Sequence, residues 1–138
     1  MLLIKNANLA EQKGYTDLLI KNGKFAKIET NIKDKSEYQV IDAEGKLVTP
    51  TFINPHMHLD KVYTALEGRE SNYETLEESI KIMHDLKRTY TVEDVKKRAV
   101  RAIKECVSYG TTKIRTSVDI DNISGLIGLK GVLAAKKA

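Results

Sequence analysis

The order of predicted strands and helices changes at Pro50, and this change limits the folds open to the chain. Up to Pro50 the sequence predicts short strands, beginning with LLIKNANL. Asn22-Gly23 lies between the β-prone runs of DLLIKNGKFAKIE and predicts a tight hairpin, and QVIDAEGKLVTP predicts a second one with its turn at Glu44-Gly45. Hairpins alone cannot bury both faces of a sheet, so we expect this segment to need a partner layer.

After Pro50, predicted strands and helices alternate. TFINPHMHLD predicts a strand that ends in a polar loop, and residues 62–73 predict a connecting loop. Thr75 with Glu78 forms a potential capping box for a helix over LEESIKIMHDLKRT, and Thr91 with Asp94 predicts the start of a second helix. TTKIRTSVDI predicts another strand, and a last amphipathic helix should begin near Ser124. This alternation favours right-handed βαβ units with a parallel sheet.

The predicted second helix shows the apolar spacing of a helix that covers a sheet. Its apolar positions recur with a period of 3.6 residues, and Gly110 stands where a left-handed C-terminal cap is expected. The apolar positions are Val95, Ala99, Ala102, Ile103 and Cys106. The charges of EDVKKRAVRAIKE predict a solvated opposite face. Cys106 on the apolar face is interpreted as a core residue, and His84 as a solvated side chain of the preceding helix.

Composition excludes several classes of protein. A content of 41% hydrophobic and 30% charged residues is that of a globular domain, and no apolar run reaches the roughly 20 residues of a membrane span. One cysteine allows no internal disulfide and no thiolate zinc site, which fits a reducing cytoplasm. The net charge of +4 is spread among interleaved acids and bases without stacking aromatic residues, so we expect neither nucleic acid nor a membrane as a partner.

His56 and His58 form the most informative motif, at the end of the strand before Leu59-Asp60-Lys61. Side chains on a strand repeat every two residues, so both imidazoles should project from one face while Met57 points the other way. Two converging imidazoles can bind one zinc or iron ion. In an arbitrary protein such a pair is more often two surface histidines. Here it ends the first strand of an alternating α/β region, where parallel barrels build their active sites.

The surrounding residues carry a family resemblance. FINPHMHLDK resembles the first-strand motif of the amidohydrolase superfamily, and its Leu-Asp extension is similar to the cytosine deaminase branch. KIRTSVDID resembles the Arg-Thr-His-Val-Asp segment of that branch. The resemblance covers nearly the whole chain. It implies an α/β fold, namely the first two βα units of an incomplete (β/α)8 TIM barrel over residues 50–138, preceded at residues 1–49 by part of a small β-sandwich.

The resemblance also implies a function and a set of site residues. It implies metal-dependent hydrolysis of C–N bonds in cyclic amidines or related nitrogen heterocycles, with zinc or iron as the divalent metal. His56 and His58 match two metal ligands of the family, whereas the motif positions Asp60 and Lys61 imply loop geometry or contacts around the ligands. The family's other ligands, two histidines and an aspartate, and its proton-shuttling glutamate would lie beyond Ala138.

Three residues near the second strand have several interpretations. Ser117 stands where the related branch usually has histidine, and a hydroxyl cannot replace an imidazole as a base, so the substrate stays open. Arg115 is either a substrate-facing or structural cation or part of an ion pair at the barrel rim. Asp119 either holds Arg115 or begins the next loop.

A (β/α)8 barrel needs about 250 residues, so we expect this polypeptide to be marginally stable and inactive by itself. We assign no catalytic residue within it. It should need a further C-terminal part or self-association, because two parallel strands leave an open edge. Two alternatives to the deaminase-like hydrolase are a non-catalytic metal-binding or interaction module, and another cyclic amide hydrolase of the dihydropyrimidinase or aminotriazine type.

Overall fold

The computed structural model describes residues 1–64 and 75–138, and the chain divides into two units, Met1–Pro50 and Thr51–Ala138. The predicted loop over 62–73 lies largely outside the described residues. Within the described residues, no helix has both the length and the apolar character needed to cross a membrane.

The first unit is a five-stranded sheet built around its first strand. The strands are β1 (Leu2–Leu9), β2 (Tyr15–Lys21), β3 (Lys24–Glu29), β4 (Gln39–Asp42) and β5 (Leu47–Val48). The order is β3-β2-β1-β4, and β5 also pairs with β1. The hairpin predicted at Asn22-Gly23 is confirmed, because β2 and β3 are antiparallel and both turn residues have positive φ, at 52° and 72°.

The second predicted hairpin is wrong. Glu44 and Gly45 do form a turn with positive φ, but β4 and β5 both run parallel to β1 and pair with it. Between them the chain stays attached to β1, because the Gly45 N–H donates to the Asn6 carbonyl over 2.9 Å. The local sequence set the turn, and pairing with the distant β1 decided which way the chain continued.

Apolar side chains on this sheet are unevenly covered. Leu3, Ala7 and Leu18 are buried, whereas Phe25 is 65% and Leu47 is 60% exposed. The need for a partner layer stays a prediction.

The second unit is a two-stranded parallel sheet with three helices. Its elements are β6 (Phe52–Met57), α1 (Leu76–Lys87), α2 (Val92–Ser108), β7 (Thr111–Thr116) and α3 (Ile127–Lys136). β6 pairs with β7 in parallel, as the strand and helix order predicts. The core is made by residues from the three helices, from the connection between α1 and α2 and from the segment after β6, namely Leu59, Leu86, Tyr90, Val95, Ala99, Ala102, Val132 and Ala135.

Two helix starts follow their sequence signals. The Thr75 hydroxyl accepts the Glu78 N–H over 3.2 Å and the Glu78 carboxylate accepts the Thr75 N–H, which completes the predicted capping box. The Thr91 hydroxyl caps α2 through the Asp94 N–H. Gly110 follows α2 with φ of +85°, the left-handed conformation predicted for it.

The predicted start of α3 near Ser124 is wrong by three residues, since the helix begins at Ile127. One carboxylate oxygen of Asp121 accepts the backbone N–H groups of Ile123 and Ser124, both over 2.9 Å, and the Ser124 hydroxyl lies 3.2 Å from the same oxygen. These bonds satisfy the backbone in a turn, so the helix can begin only after it.

The prediction that the charged residues of α2 lie on a solvated face is wrong for one residue. Arg98 is 5% exposed, because it stands between Val95 and Ala102 on the buried side of the helix. The predicted apolar positions lie on the covered side of the helix: Val95, Ala99 and Ala102 are buried, and Ile103 and Cys106 are half-buried. His84 is exposed on α1, as expected.

Candidate metal centre

His56 and His58 converge, as the strand periodicity predicts. His56 is the fifth residue of β6 and His58 follows its last residue, and their Nε2 atoms lie 3.3 Å apart with the ring planes tilted by 52°. Met57 between them packs against the hydrophobic core. Pro55 has no N–H to donate, and the pairing of β6 with β7 is irregular between Asn54 and Met57.

The distance between the two nitrogens fits a shared metal ion. Two nitrogens bound at about 2.0–2.1 Å to one tetrahedral zinc ion lie about 3.3–3.4 Å from each other. Without a metal, the same separation allows an N–H···N hydrogen bond between the rings. Among residues 1–64 and 75–138, no cluster of three or more His, Cys, Asp or Glu side chains is arranged to bind a metal. The described residues therefore provide two imidazole donors.

The loop after His58 is anchored from two sides. Asp60 is 2% exposed, and one of its carboxylate oxygens accepts the Asp119 N–H over 3.1 Å. Arg98 donates to the backbone carbonyls of Asp60 and Val62 at 3.0 and 2.9 Å. Arg98 is itself held by Asp94, whose carboxylate lies 2.8 Å from the guanidinium. The buried guanidinium of α2 thus fixes the backbone beside the two histidines.

A network of lysines and aspartates lies next to the histidines. Asp119 Oδ2 accepts from Lys61 Nζ at 2.8 Å and from Lys87 Nζ at 2.9 Å, and Lys87 also binds Asp121 at 2.6 Å. The other oxygen of Asp119 lies 3.9 Å from His58 Nδ1. Lys87 comes from the end of α1 and is 6% exposed, so this helix contributes a buried charge to the network.

The charges of this network alter one another's pKa values. Hydrogen bonds from Lys61 and then Lys87 lower the pKa of Asp119. The hydrogen bond from Lys87, followed by the Ser124 N–H, lowers the pKa of Asp121 well below its usual range. Burial by itself would lower the pKa of Lys87, but its bonds to Asp121 and Asp119 outweigh burial and raise it. These shifts keep Asp119, Asp121 and Lys87 charged at neutral pH.

The structure brings some of the predicted site residues close to His58 and leaves others exposed. Asp60, Lys61 and Asp119 surround His58, whereas Arg115 and Ser117 are exposed at the end of β7. The suggestion that Asp119 holds Arg115 is wrong, since Asp119 binds the two lysines, which approach it more closely. Arg115 has no ion pair within the described parts of the chain. The Ser117 N–H donates to the Met57 carbonyl over 2.8 Å, so it lies beside the histidine strand.

The sequence patterns did not predict that three further charged residues would contact the segments beside the histidines, namely Lys87, Arg98 and Asp121. Arg98 carried a usable signal, because its position falls within the apolar stripe of α2, three residues after Val95 and four before Ala102. A charged residue in such a stripe is normally buried only with partners. Lys87 and Asp121 carried no comparable signal, since their pairing joins segments far apart in the sequence.

Comparison with known proteins agrees with this geometry. Residues 39–89 match the model of the Amidohydrolase family. The chain is 31% identical to N-isopropylammelide isopropyl amidohydrolase of Pseudomonas sp. (strain ADP), over 99% of this chain and 34% of that protein. It is 42% identical to a dihydroorotase of Sulfurihydrogenibium sp. (strain YO3AOP1), over 51% of this chain and 18% of that protein.

Among solved structures, the chain superposes on 5-methylcytosine deaminase from Klebsiella pneumoniae liganded with 5-fluorocytosine. The TM-score is 0.83 at 32% identity, over 98% of this chain and 33% of that one. The chain thus spans about a third of the length of these two full-coverage matches. With the paired histidines at the end of β6, the chain matches the amidohydrolase superfamily over about a third of the length of these relatives.

Proposed function

We propose that residues 1–138 form the first part of a metal-dependent hydrolase that cleaves C–N bonds of nitrogen heterocycles, by hydrolytic deamination of the cytosine deaminase type. The observation that carries the proposal is the 3.3 Å separation of the His56 and His58 Nε2 atoms. It is supported by the 32% identity to a deaminase whose ligand is 5-fluorocytosine. In this proposal, residues 50–138 supply the first two βα units of a (β/α)8 barrel and residues 1–49 supply part of a β-sandwich.

The proposed site uses His56 and His58 to hold a zinc or iron ion. A bound divalent metal supplies a Lewis acid strong enough for hydrolysis at neutral pH. The neutral imidazoles orient their Nε2 lone pairs, and Asp60 and Asp119 stand on the far side of the His58 ring. Arg115 and Ser117 lie at the carboxyl end of β7, beside the carboxyl end of β6 that carries the histidines. We propose these two residues as substrate contacts.

Metal binding is the first test of this proposal. Zinc titration of the 138-residue chain should show one site that is lost in His56→Ala and in His58→Ala. His84→Ala is the matched control, because His84 is exposed on α1 and should leave the affinity unchanged. Zinc binding that survives both substitutions at the paired histidines would rule out this site.

Hydrolysis is the second test, and it needs the whole barrel. Residues 1–138 can replace the matching third of the Klebsiella pneumoniae deaminase, and ammonia release from cytosine and 5-methylcytosine can then be followed. We expect the hybrid to release ammonia, its His56→Ala variant to release none, and residues 1–138 alone to be inactive. Zinc bound in a folded hybrid that hydrolyses no substrate would favour a non-catalytic metal-binding module. The coding sequence that follows the Ala138 codon would show directly whether further strand-end histidines and an aspartate exist.

A different cyclic amide hydrolase is the second candidate function. The specific observation in its favour is the 42% identity to a dihydroorotase across half of the chain. Ser117 also favours it, because a hydroxyl cannot act as the imidazole base that the cytosine deaminase branch usually has there. Ring opening of dihydroorotate or a hydantoin by the hybrid, without ammonia release from cytosine, would select this candidate.

We further propose that the β6–β7 pair needs additional strands, from the same polypeptide or from another copy. Among residues 1–64 and 75–138, no further strand pairs with the outer edge of β6 or of β7, and such open edges invite pairing with another strand. Residues 1–138 alone should therefore unfold over a broad temperature range or self-associate. A sharp thermal transition in a monomer, checked by analytical ultracentrifugation, would contradict this part of the proposal.

A further inference from the structure

Two buried polar atoms near the paired histidines lack hydrogen-bond partners in the described structure. They are His58 Nδ1 and Asp60 Oδ1, and they lie 4.0 Å apart. A buried polar atom left without a partner loses its hydrogen bonds to water and gains none in return, so such atoms are rare in folded proteins. An imidazole nitrogen can carry a proton and a carboxylate oxygen can accept it. These two atoms therefore complement each other and are close to bonding distance.

Asp60 is held in place by contacts that leave this one oxygen available. Its other carboxylate oxygen accepts the Asp119 N–H, and its backbone carbonyl accepts from Arg98. The residue is 2% exposed, so water has little access to it. Because the carboxylate is fixed, a small rotation of the His58 side chain would shorten the 4.0 Å separation.

Asp119 is the competing acceptor, since its Oδ1 lies 3.9 Å from the same nitrogen. Its Oδ2 is already shared by Lys61 and Lys87, which draw the carboxylate towards the lysines. The Asp119 side chain is also 32% exposed, so water can satisfy its second oxygen. Asp60 Oδ1 is buried, so water has little access to it. Asp60 is therefore the stronger candidate acceptor for His58 Nδ1–H.

We infer that Asp60 is the positioning residue for His58, accepting a hydrogen bond from Nδ1–H so that Nε2 keeps its lone pair for a metal. The inference rests on the proposed metal site. A carboxylate behind a ligating histidine fixes the tautomer and the ring orientation and makes the ligand more basic. In the metal-free protein the same tautomer lets His58 Nε2 accept from His56 Nε2–H, in agreement with their 3.3 Å separation.

The tautomer of His58 tests the inference without activity and without metal. Nitrogen-15 NMR of the metal-free 138-residue chain, at a pH where both rings are neutral, should place the His58 proton on Nδ1. In Asp60→Asn, the amide oxygen keeps the Asp119 N–H and the NH₂ group faces His58 Nδ1, so the proton should move to Nε2. Asp119→Asn is the matched control and should leave the proton on Nδ1.

Zinc affinity gives a second measure. We expect Asp60→Asn to weaken zinc binding by roughly 10- to 100-fold, the usual effect of removing a partner behind a ligand, and Asp119→Asn to have a smaller effect. A His58 proton on Nε2 in the unaltered protein overturns the inference, even if the variant fails to fold. An unchanged tautomer in folded Asp60→Asn overturns it as well. If the chain binds no zinc through the histidines, the proposed function fails, while the metal-free tautomer still decides the role of Asp60.

Discussion

The two units of the chain use buried polar side chains in different ways. In Met1–Pro50 the buried carboxylate is Asp17, whose two oxygens accept the backbone N–H groups of Asn6 and Ile32 at 3.0 and 2.9 Å. Asn6 has positive φ and lies at an irregularity in the β1–β2 pairing, so Asp17 satisfies a backbone group that the sheet leaves free. Asp17 thus joins β1 to the segment after β3, within the first unit.

In Thr51–Ala138 the buried charges surround the candidate metal centre. Arg98 holds the backbone after His58, and Lys87 joins α1 to the segment after β7 through Asp119. A buried charge needs partners that compensate its desolvation, and here those partners lie on the segments next to the histidines. A buried charge therefore completes backbone bonding in the first unit, whereas in the second it also fixes the segment that carries the candidate metal ligands.

The largest effect is expected from removing the guanidinium of Arg98. Arg98→Met should lower the free energy of unfolding by about 3 kcal/mol, because it leaves the buried Asp60 carbonyl, the partly buried Val62 carbonyl and Asp94 without their donor. Urea unfolding measures this difference. Arg101→Met is the control: this exposed side chain stacks on Tyr63 at 4.1 Å, and its loss should cost about 1 kcal/mol or less. Equal losses of unfolding free energy in both variants would contradict the role assigned to the buried guanidinium.

The next effect comes from the close approach of α3 to α2. A Cβ at Gly131 would lie 2.5 Å from Val95 Cβ, so Gly131→Ala should cost about 2 kcal/mol, even though alanine favours a helix. The double variant with Val95→Gly should lose less than the sum of the two single losses, because this change removes both the Cβ and the Cγ1 atom that the new methyl group would meet. Strictly additive losses in urea unfolding would show that these helices do not touch there.

In the first unit, Asp17→Asn should have a smaller effect. One of the two oxygens becomes an NH₂ group that faces a backbone N–H, and the expected loss is about 1–2 kcal/mol of unfolding free energy. Asp34→Asn should be nearly neutral, because Asp34 is 51% exposed and forms only a surface pair with Lys5. Chemical denaturation compares the two. A loss as large as that of Arg98→Met would contradict the difference between the units.

The smallest expected effect is on the unfolding free energy at acidic pH. Since the folded-state pKa of Asp121 lies below its ordinary value, its contribution is full above the unfolded pKa of about 3.9 and disappears as pH falls below it. At pH values below about 4 the unfolding free energy should therefore decrease. In Asp121→Asn it should decrease less steeply with falling pH. Its 25% exposure keeps the effect small. Asp85→Asn, at an exposed position of α1, should keep the wild-type slope in acid titrations followed by circular dichroism.

The sequence by itself determined the features that depend on neighbours in the chain. Positive φ at Asn22-Gly23, the capping box at Thr75 and the apolar stripe of α2 all follow from local residue chemistry. The convergence of His56 and His58 belongs to this group, because it needs only the two-residue period of a strand.

Tertiary structure alone decided the features that join distant segments. It set the parallel pairing of β4 and β5 with β1, and the burial of Lys87 between Asp119 and Asp121. It also placed Arg98 on carbonyls more than thirty residues earlier in the chain. The physical reason is that a turn or a cap is stabilised within a few residues, whereas a buried charge is stable only where the fold brings its partners.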